Sequence, residues 1–272
     1  MVSNLLKKDI DDILQSALSE AADDLLLIDP TEATIQSLVE VATAFDGELP
    51  AVRMLADERA IKATMEDFLV ASKAADLVDS GQLSLRTLGE SAANSLLISD
   101  GSVLALVEAG DRIAALTTED DAFVESARNA YDEQWEQADA FGLRTPPISR
   151  VRETLAADIG EQAGSDFDAV LSGLETARGN GEGLDEVTIS LLVAAKNEVL
   201  LYDISKWGED VGIASKATFS RTKTRLEEKG LIATEKVPID VGRPRLRLQL
   251  GDDRLREASA DELAAVSQDL LD

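Results

Sequence analysis

Lysine and arginine side chains gathered between residues 213 and 249 carry the clearest chemistry in this chain. The segment IASKATFSRTKTRLEEKGLIATEKVPIDVGRPRLRLQ holds nine Lys and Arg against four Asp and Glu, and the rest of the chain holds 17 against 49. Ammonium groups meet phosphate as point charges, and guanidinium forks match both phosphate and the edge of guanine. A chain of net charge −27 repels a polyanion wherever positive charge is not concentrated. The segment is therefore the first candidate for function.

The flanking pattern says what holds these side chains. Residues 185–200 have Val187, Leu191, Leu192, Ala195 and Val199 at helical spacing, and Asp203–Asp210 read as a second helix with Ile204 and Trp207 apolar. Gly208 suits a close helix approach and Gly212 a left-handed turn. Ser215 suits a helix N-cap, Gly230 a stop, and the third helix between them turns Phe219, Leu226 and the stem of Lys223 inward. Two strands follow, 231–237 and 244–250, joined through Asp240-Val241-Gly242-Arg243; in the second, Leu246, Leu248 and Leu250 alternate with Arg245, Arg247 and Gln249. Three helices and a hairpin in this order make a winged helix–turn–helix. Its third helix is expected to enter the major groove of double-stranded DNA with Lys216, Ala217, Ser220, Arg221 and Thr224 outward. Arg221 is the candidate for a guanine contact, and Lys216, near the helix N-terminus, for phosphate. Arg243 and Arg245 at the wing tip are candidates for an adjacent minor groove, with Arg247 on the same charged face. The alternative use of such a module is as a protein–protein adaptor.

Composition narrows the rest. Cysteine and histidine are absent, which removes thiolate chemistry, the commonest general base and the commonest metal ligand. No phosphate loop or metal-ligand cluster is visible, so the expectation is a non-enzyme without cofactor or metal. No apolar run reaches membrane length and no signal segment is visible, so a soluble cytoplasmic protein is expected. Acidic residues are twice as common as basic ones and Arg outnumbers Lys 16 to 10. Spread along the chain, that charge points to salt adaptation, because low salt leaves its self-repulsion unscreened.

The first half of the chain reads as an α/β domain with a mixed sheet. Residues 2–24 have helical spacing and LLLID (25–29) is a buried strand. Asp29-Pro30-Thr31-Glu32 opens a helix that runs to about Phe45, VRML (52–55) is a strand, and Asp57–Leu77 a helix. Four short strands follow at 83–88, 95–99, 103–108 and 112–117, with hairpin signals at Asp100-Gly101 and Gly110-Asp111, then a helix over 120–140. The expected domains are 1–145 (sensor and dimerisation), a helical linker over 146–183 with a flexible joint at 178–183, the winged helix at 184–250 and a C-terminal helix at 251–272. A ligand site belongs past the carboxyl ends of the strands, near Asp29, Thr31, Asp57, Ser99 and Asp100. Helix capping and turn formation are the plainer roles for each. The helix over 120–140 and the tail 252–271 are amphipathic, and either suits a dimer face or a cover for the core.

The runs LRTPPISRVRETLA, GLDEVTISLLVAAKNEVLLYDISKWGEDVGIASKATFSRTKTRLE and EKVPIDVGRPRLRL resemble the haloarchaeal TbsP family of transcriptional regulators. SKATFSRTKTRLEEKGLI is also similar to the recognition helix of many archaeal winged-helix regulators. The resemblance implies a DNA-binding regulator of metabolic genes in a halophilic archaeon, working alongside a TrmB-type sugar-responsive regulator. A homodimer and a small-molecule metabolite follow as expected partners. Two departures stand out: the turn from Gly212 to Phe219 is one residue longer than the commonest spacing, and Lys223 replaces a usual apolar residue. The N-terminal part resembles, more loosely, the sensor domains of archaeal regulators, some of which are built like phospholipase D. That enzyme needs histidines, and this chain has none.

Overall fold

The computed structural model describes residues 5–6, 9–89, 92–109, 112–174, 177, 184–238 and 244–271. They divide into two compact units, one from residues 1–65 and 73–143, the other from 66–72 and 144–272.

The first unit is built on a mixed sheet. Its elements are β1 (Leu5–Leu6), α1 (Ile10–Glu20), β2 (Asp24–Ile28), α2 (Glu32–Thr43), β3 (Ala51–Ala56), α3 (Glu58–Thr64), α4 (Phe68–Asp79), β4 (Leu83–Thr87), β5 (Ser95–Ile98), β6 (Val103–Ala109), β7 (Arg112–Thr118) and α5 (Asp121–Gln137); α4 begins in the second unit. The sheet has seven strands in the order β1-β7-β6-β5-β2-β3-β4. β2, β3 and β4 are parallel, and the other pairs are antiparallel. Leu26, Ile28, Leu55 and Ile98 pack with Val124 and Trp135 of α5. Leu25 and Leu27 alternate to the opposite face and are also fully buried.

A partly buried ion-pair network ties α5 to the sheet. Asp24 accepts Arg53 Nε at 2.7 Å and is also paired with Arg128, which reaches Asp100 at 3.2 Å. Burial works against ionisation of Asp24, but hydrogen bonds from Arg128 and the charge of Arg53 outweigh it and hold the carboxyl below its usual range.

Three local expectations are corrected here. Residues 2–24 are not one helix: Leu5 and Leu6 pair with Leu116 and Ala115 of β7, and Asp9 caps a helix that starts at Ile10. Strand pairing overrides the helical spacing of those two leucines. Thr31 rather than Asp29 caps α2, accepting the Thr34 N–H. Asp29 takes a left-handed backbone, φ 44°, and its carboxylate accepts the Ala92 N–H at 2.8 Å. The helix expected over 57–77 is broken, because Asp67 accepts the N–H groups of Leu69 at 2.9 Å and of Ala177 at 3.3 Å and so starts α4 afresh.

The second unit is helical with a two-stranded wing. It comprises α6 (Ile148–Asp158), α7 (Glu161–Ser172), α8 (Glu186–Lys196), α9 (Leu201–Val211), α10 (Lys216–Glu228), β8 (Ile232–Val237), β9 (Arg245–Leu250), α11 (Asp253–Glu257) and α12 (Leu263–Leu271). Every residue of α8 from Val187 to Ala195 is buried, so this helix is the axis of the unit. Val151 and Leu155 of α6 and Phe167 and Val170 of α7 share its core with Trp207, Phe219 and Leu226. The stretch expected as a linker thus supplies core side chains. The tail forms two helices, which bring Leu255 and Leu263 to the same core.

The crossing of α9 and α10 rests on one glycine. A Cβ at Gly208 would lie 2.3 Å from Cε2 and Cζ of Phe219, a ring with no exposed surface. Gly212 then turns the chain with φ 94°, a left-handed conformation that glycine adopts without strain. Substitution of Gly208 by alanine is expected to force the two helices apart and to destabilise the second unit by about 1–3 kcal/mol. Urea unfolding of the G208A chain measures this, and an unchanged midpoint would refute the account of the crossing.

Candidate nucleic-acid interface

The third helix of the trihelical module, α10, begins where Ser215 accepts the Thr218 N–H at 3.2 Å. The Lys216 N–H of the first turn donates in turn to Glu209 Oε1 at 3.4 Å. Phe219, Thr222, Lys223 and Leu226 form the buried stripe, and Thr222 was missing from the sequence-based set. Lys223 occupies its inward place by burying its stem and ending on Glu227 Oε2 at 2.7 Å. Lys216, Ala217, Ser220, Arg221 and Thr224 are all exposed on the opposite face. The fold therefore collects on one helical surface the five side chains expected to face DNA.

The cations on that surface differ in their pairing. Lys216 Nζ lies 2.5 Å from Glu209 Oε2 on α9. The hydrogen bond between them raises the lysine pKa and lowers that of the glutamate. Arg221 donates locally, to Ala217 O at 3.4 Å and Thr218 Oγ1 at 3.5 Å. Among the described residues no carboxylate lies within ion-pair distance of it.

The wing packs against the helices along β9. Leu248 and Leu250 point into the core, and the Leu248 N–H donates to Val199 O at 2.9 Å. Arg245 does not project freely: its guanidinium lies 4.3 Å from the Tyr202 ring centre and NH1 is 3.3 Å from Asp203 Oδ1. Arg247 faces its cross-strand neighbour Glu235, 3.6 Å away. Arg243 and the turn around Gly242 lie outside the described residues. The sequence reading missed Tyr202, Asp203 and Glu235 as partners of the basic face. Only the strand alternation at 245–250 hinted at Glu235, through the hairpin register.

Glu227 couples helix and wing. Its Oε1 accepts the Thr234 hydroxyl of β8 at 2.6 Å while Oε2 accepts Lys223. Burial raises its pKa, yet the hydrogen bonds from Lys223 and Thr234 together with the lysine charge hold it below the usual glutamate range.

The weak ligand candidates of the first unit do not assemble. Thr31 and Asp57 cap α2 and α3. Ser99 closes the β5–β6 turn on Ser102, and Asp100 pairs with Arg128. β5 runs antiparallel to β2, with Leu26 opposite Ile98, so Ser99 and Asp100 stand at the amino end of β2, across the sheet from Asp29. A cavity of about 550 Å³ lies instead at the carboxyl ends of β3 and β4, lined by Leu55, Thr87, Leu88, Tyr131, Gln134 and Gln137 among others. Burial raises the Tyr131 pKa, and the charge of Asp29 adds to it. Tyr131, Gln134 and Gln137 were not among the expected site residues. Their spacing on one face of α5 was the available signal.

A family model for the N-terminal part of TbsP-like transcriptional regulators matches residues 2–146, and one for their C-terminal helix–turn–helix domain matches residues 147–268. The chain belongs to the TbsP-like family. That family is one of transcriptional regulators, and its C-terminal helix–turn–helix domain spans α6 to α12 of this chain. No curated protein matches. Among solved structures, the TbsP-like chain is similar to TrmBL2, an archaeal chromatin protein with a novel mode of DNA binding (19% identity, TM-score 0.39), over 51% of this chain and 53% of that one. It therefore spans about half the length of that relative. It is also similar to Nuc of Salmonella typhimurium, a phospholipase D family member, over 52% of this chain and 97% of that one, and to NucT of Helicobacter pylori, over 52% and 99%. Both have 15% identity and a TM-score of 0.36. Among the described residues no helix is long and apolar enough to cross a membrane, and no three potential metal ligands cluster.

Because the folded-state pKa of Glu227 is depressed, its stabilising effect is present above the unfolded-state pKa and is lost as pH falls through the folded-state value. An E227Q chain is expected to lose that part of the acid sensitivity. Unfolding midpoints recorded from pH 7 down to about 3 test it, and parallel profiles for both chains would contradict the coupling.

Proposed function

We propose that this TbsP-like chain is a sequence-specific regulator of metabolic genes that reads the major groove with α10. One observation supports this above the others: Lys216, Ala217, Ser220, Arg221 and Thr224 share the exposed face of a capped helix whose reverse face is anchored by Phe219. Arg221, which no acid neutralises among the described residues, is the base-reading residue, and Lys216 meets phosphate at the helix start. Arg243, Arg245 and Arg247 supply the wing contacts. The chain acts as a homodimer on two half-sites about one helical turn apart. The exposed Phe123 on α5, 54% accessible, supports a partner surface there. Its acidity suits the cytoplasm of a halophilic archaeon. No catalysis is assigned to either unit. The cavity beside Tyr131 is the place for a metabolite that sets affinity for DNA; Asp29 nearby and the Gln134 and Gln137 amides favour an uncharged polar molecule.

Gel shifts of genomic fragments in about 1 M KCl test the reading. The wild-type chain is expected to select particular fragments, and R221A/R243A/R245A to lose at least about tenfold in affinity, each good base contact contributing ~1–3 kcal/mol. Equal binding by both chains would refute the residue roles, and no preferred fragment would refute the function. The same shifts repeated with sugars and sugar phosphates test sensing, which fails if none changes affinity.

A further inference from the structure

Three cations of the candidate interface already hold a carboxylate. Lys216 pairs with Glu209, Arg245 with Asp203 and Arg247 with Glu235, at 2.5, 3.3 and 3.6 Å. The acids come from α9 and β8, the two elements flanking α10 in sequence, and each is 43–55% exposed. Arg221 is the contrast, since among the described residues it bonds only within its own helix.

Stability does not explain three such pairs. Exposed ion pairs contribute only about 0–1 kcal/mol. Their effect on an approaching phosphate is more direct. A carboxylate touching the cation cancels most of its field a few ångströms out, and phosphate gains little until the acid is displaced.

We propose that Asp203, Glu209 and Glu235 are specificity-determining residues that mask the DNA-facing cations and exchange them for solvent cations when a fitted site is bound. This rests on the DNA-binding reading above. An unmasked cation that meets a phosphate expels about 0.9 of a counterion from the duplex. A masked one expels the same counterion and also strands its carboxylate beside a phosphate. That carboxylate takes up a monovalent cation, so the net release per masked contact is close to zero. Four unmasked contacts per chain would lose roughly 4,000-fold in affinity for a tenfold rise in salt. With three masked, the loss shrinks to about tenfold, carried by Arg221. Mixed-sequence DNA, which offers phosphates without the fit that displaces the acids, is held weakly.

The test uses the full chain and a duplex that it selects from a random-sequence library in about 1 M KCl. Affinity is then followed from about 0.2 to 2 M KCl. The wild-type dimer is expected to show a log–log slope near −2, about −1 per chain, and D203N/E209Q/E235Q a slope steeper by about five, with tighter binding of mixed-sequence duplex. E20Q/E40Q/E48Q, which removes the same charge from exposed positions of the first unit, is expected to keep the wild-type slope. Circular dichroism melts establish that both triple variants fold. A wild-type slope as steep as that of the unmasked variant overturns the proposal, as does a control variant that steepens equally. If the library yields no duplex, the DNA-binding reading fails and this inference with it; if duplexes are selected but the slopes coincide, only this inference fails.

Discussion

The contact between Gly208 and the ring of Phe219 is the constraint on which the interface depends. A helix–turn–helix presents its third helix only if the second lets it approach, and here the approach leaves no room for even a Cβ. Phe219 occupies the buried end of that contact, and burial of such a ring is worth about 1.5–3 kcal/mol. Because Phe219 is fixed inward, the residues one, two and five places along the helix must point outward, which exposes Ser220, Arg221 and Thr224. The cap at Ser215 and the left-handed Gly212 set where the helix begins. The Glu227–Thr234 hydrogen bond sets where the wing lies against it. The outward face of α10 and the core are therefore two sides of one packing solution.

Charge works on top of that geometry. A chain of net charge −27 repels a polyanion over most of its surface and gains little from a broad attractive field. Contacts must then be close and individually placed. Arg245, stacked on Tyr202 and held by Asp203, is pre-positioned at the cost of its free charge. Arg221 has, among the described residues, bonds within its own helix and no carboxylate partner. Among the described residues the candidate interface thus combines Arg221, which has no carboxylate partner, with three cations that have one, and the proposed masking suits choice among sites more than a grip on any duplex.

Features written in adjacent residues were legible in the sequence. Ser215, Gly212 and Gly230 announce helix ends through side-chain chemistry or backbone freedom, and the Phe219–Leu226 spacing separates the two faces of α10. Features that depend on distant partners were not. Leu5 and Leu6 have helical spacing but serve as a strand because β7 offers them an edge. Asp29 resembles a cap until Ala92, far along the chain, supplies the N–H it accepts. Ser99 and Asp100 follow a strand, yet that strand runs against β2 and delivers them to the wrong edge for a site near Asp29. Asp203 carried no local sign of its pairing with Arg245. The cavity residues Tyr131, Gln134 and Gln137 looked like one stripe of an amphipathic helix, and only the neighbouring strand ends make a cavity of them.

Photo-crosslinking from the outward face of α10 tests the central claim most directly. A benzophenone side chain placed at position 220 should crosslink to duplex DNA selected by the chain, while the same probe at position 40 on α2, also exposed, should not. Equal crosslinking from both positions, or crosslinking from position 40 alone, would contradict the claim that α10 is the surface presented to the groove.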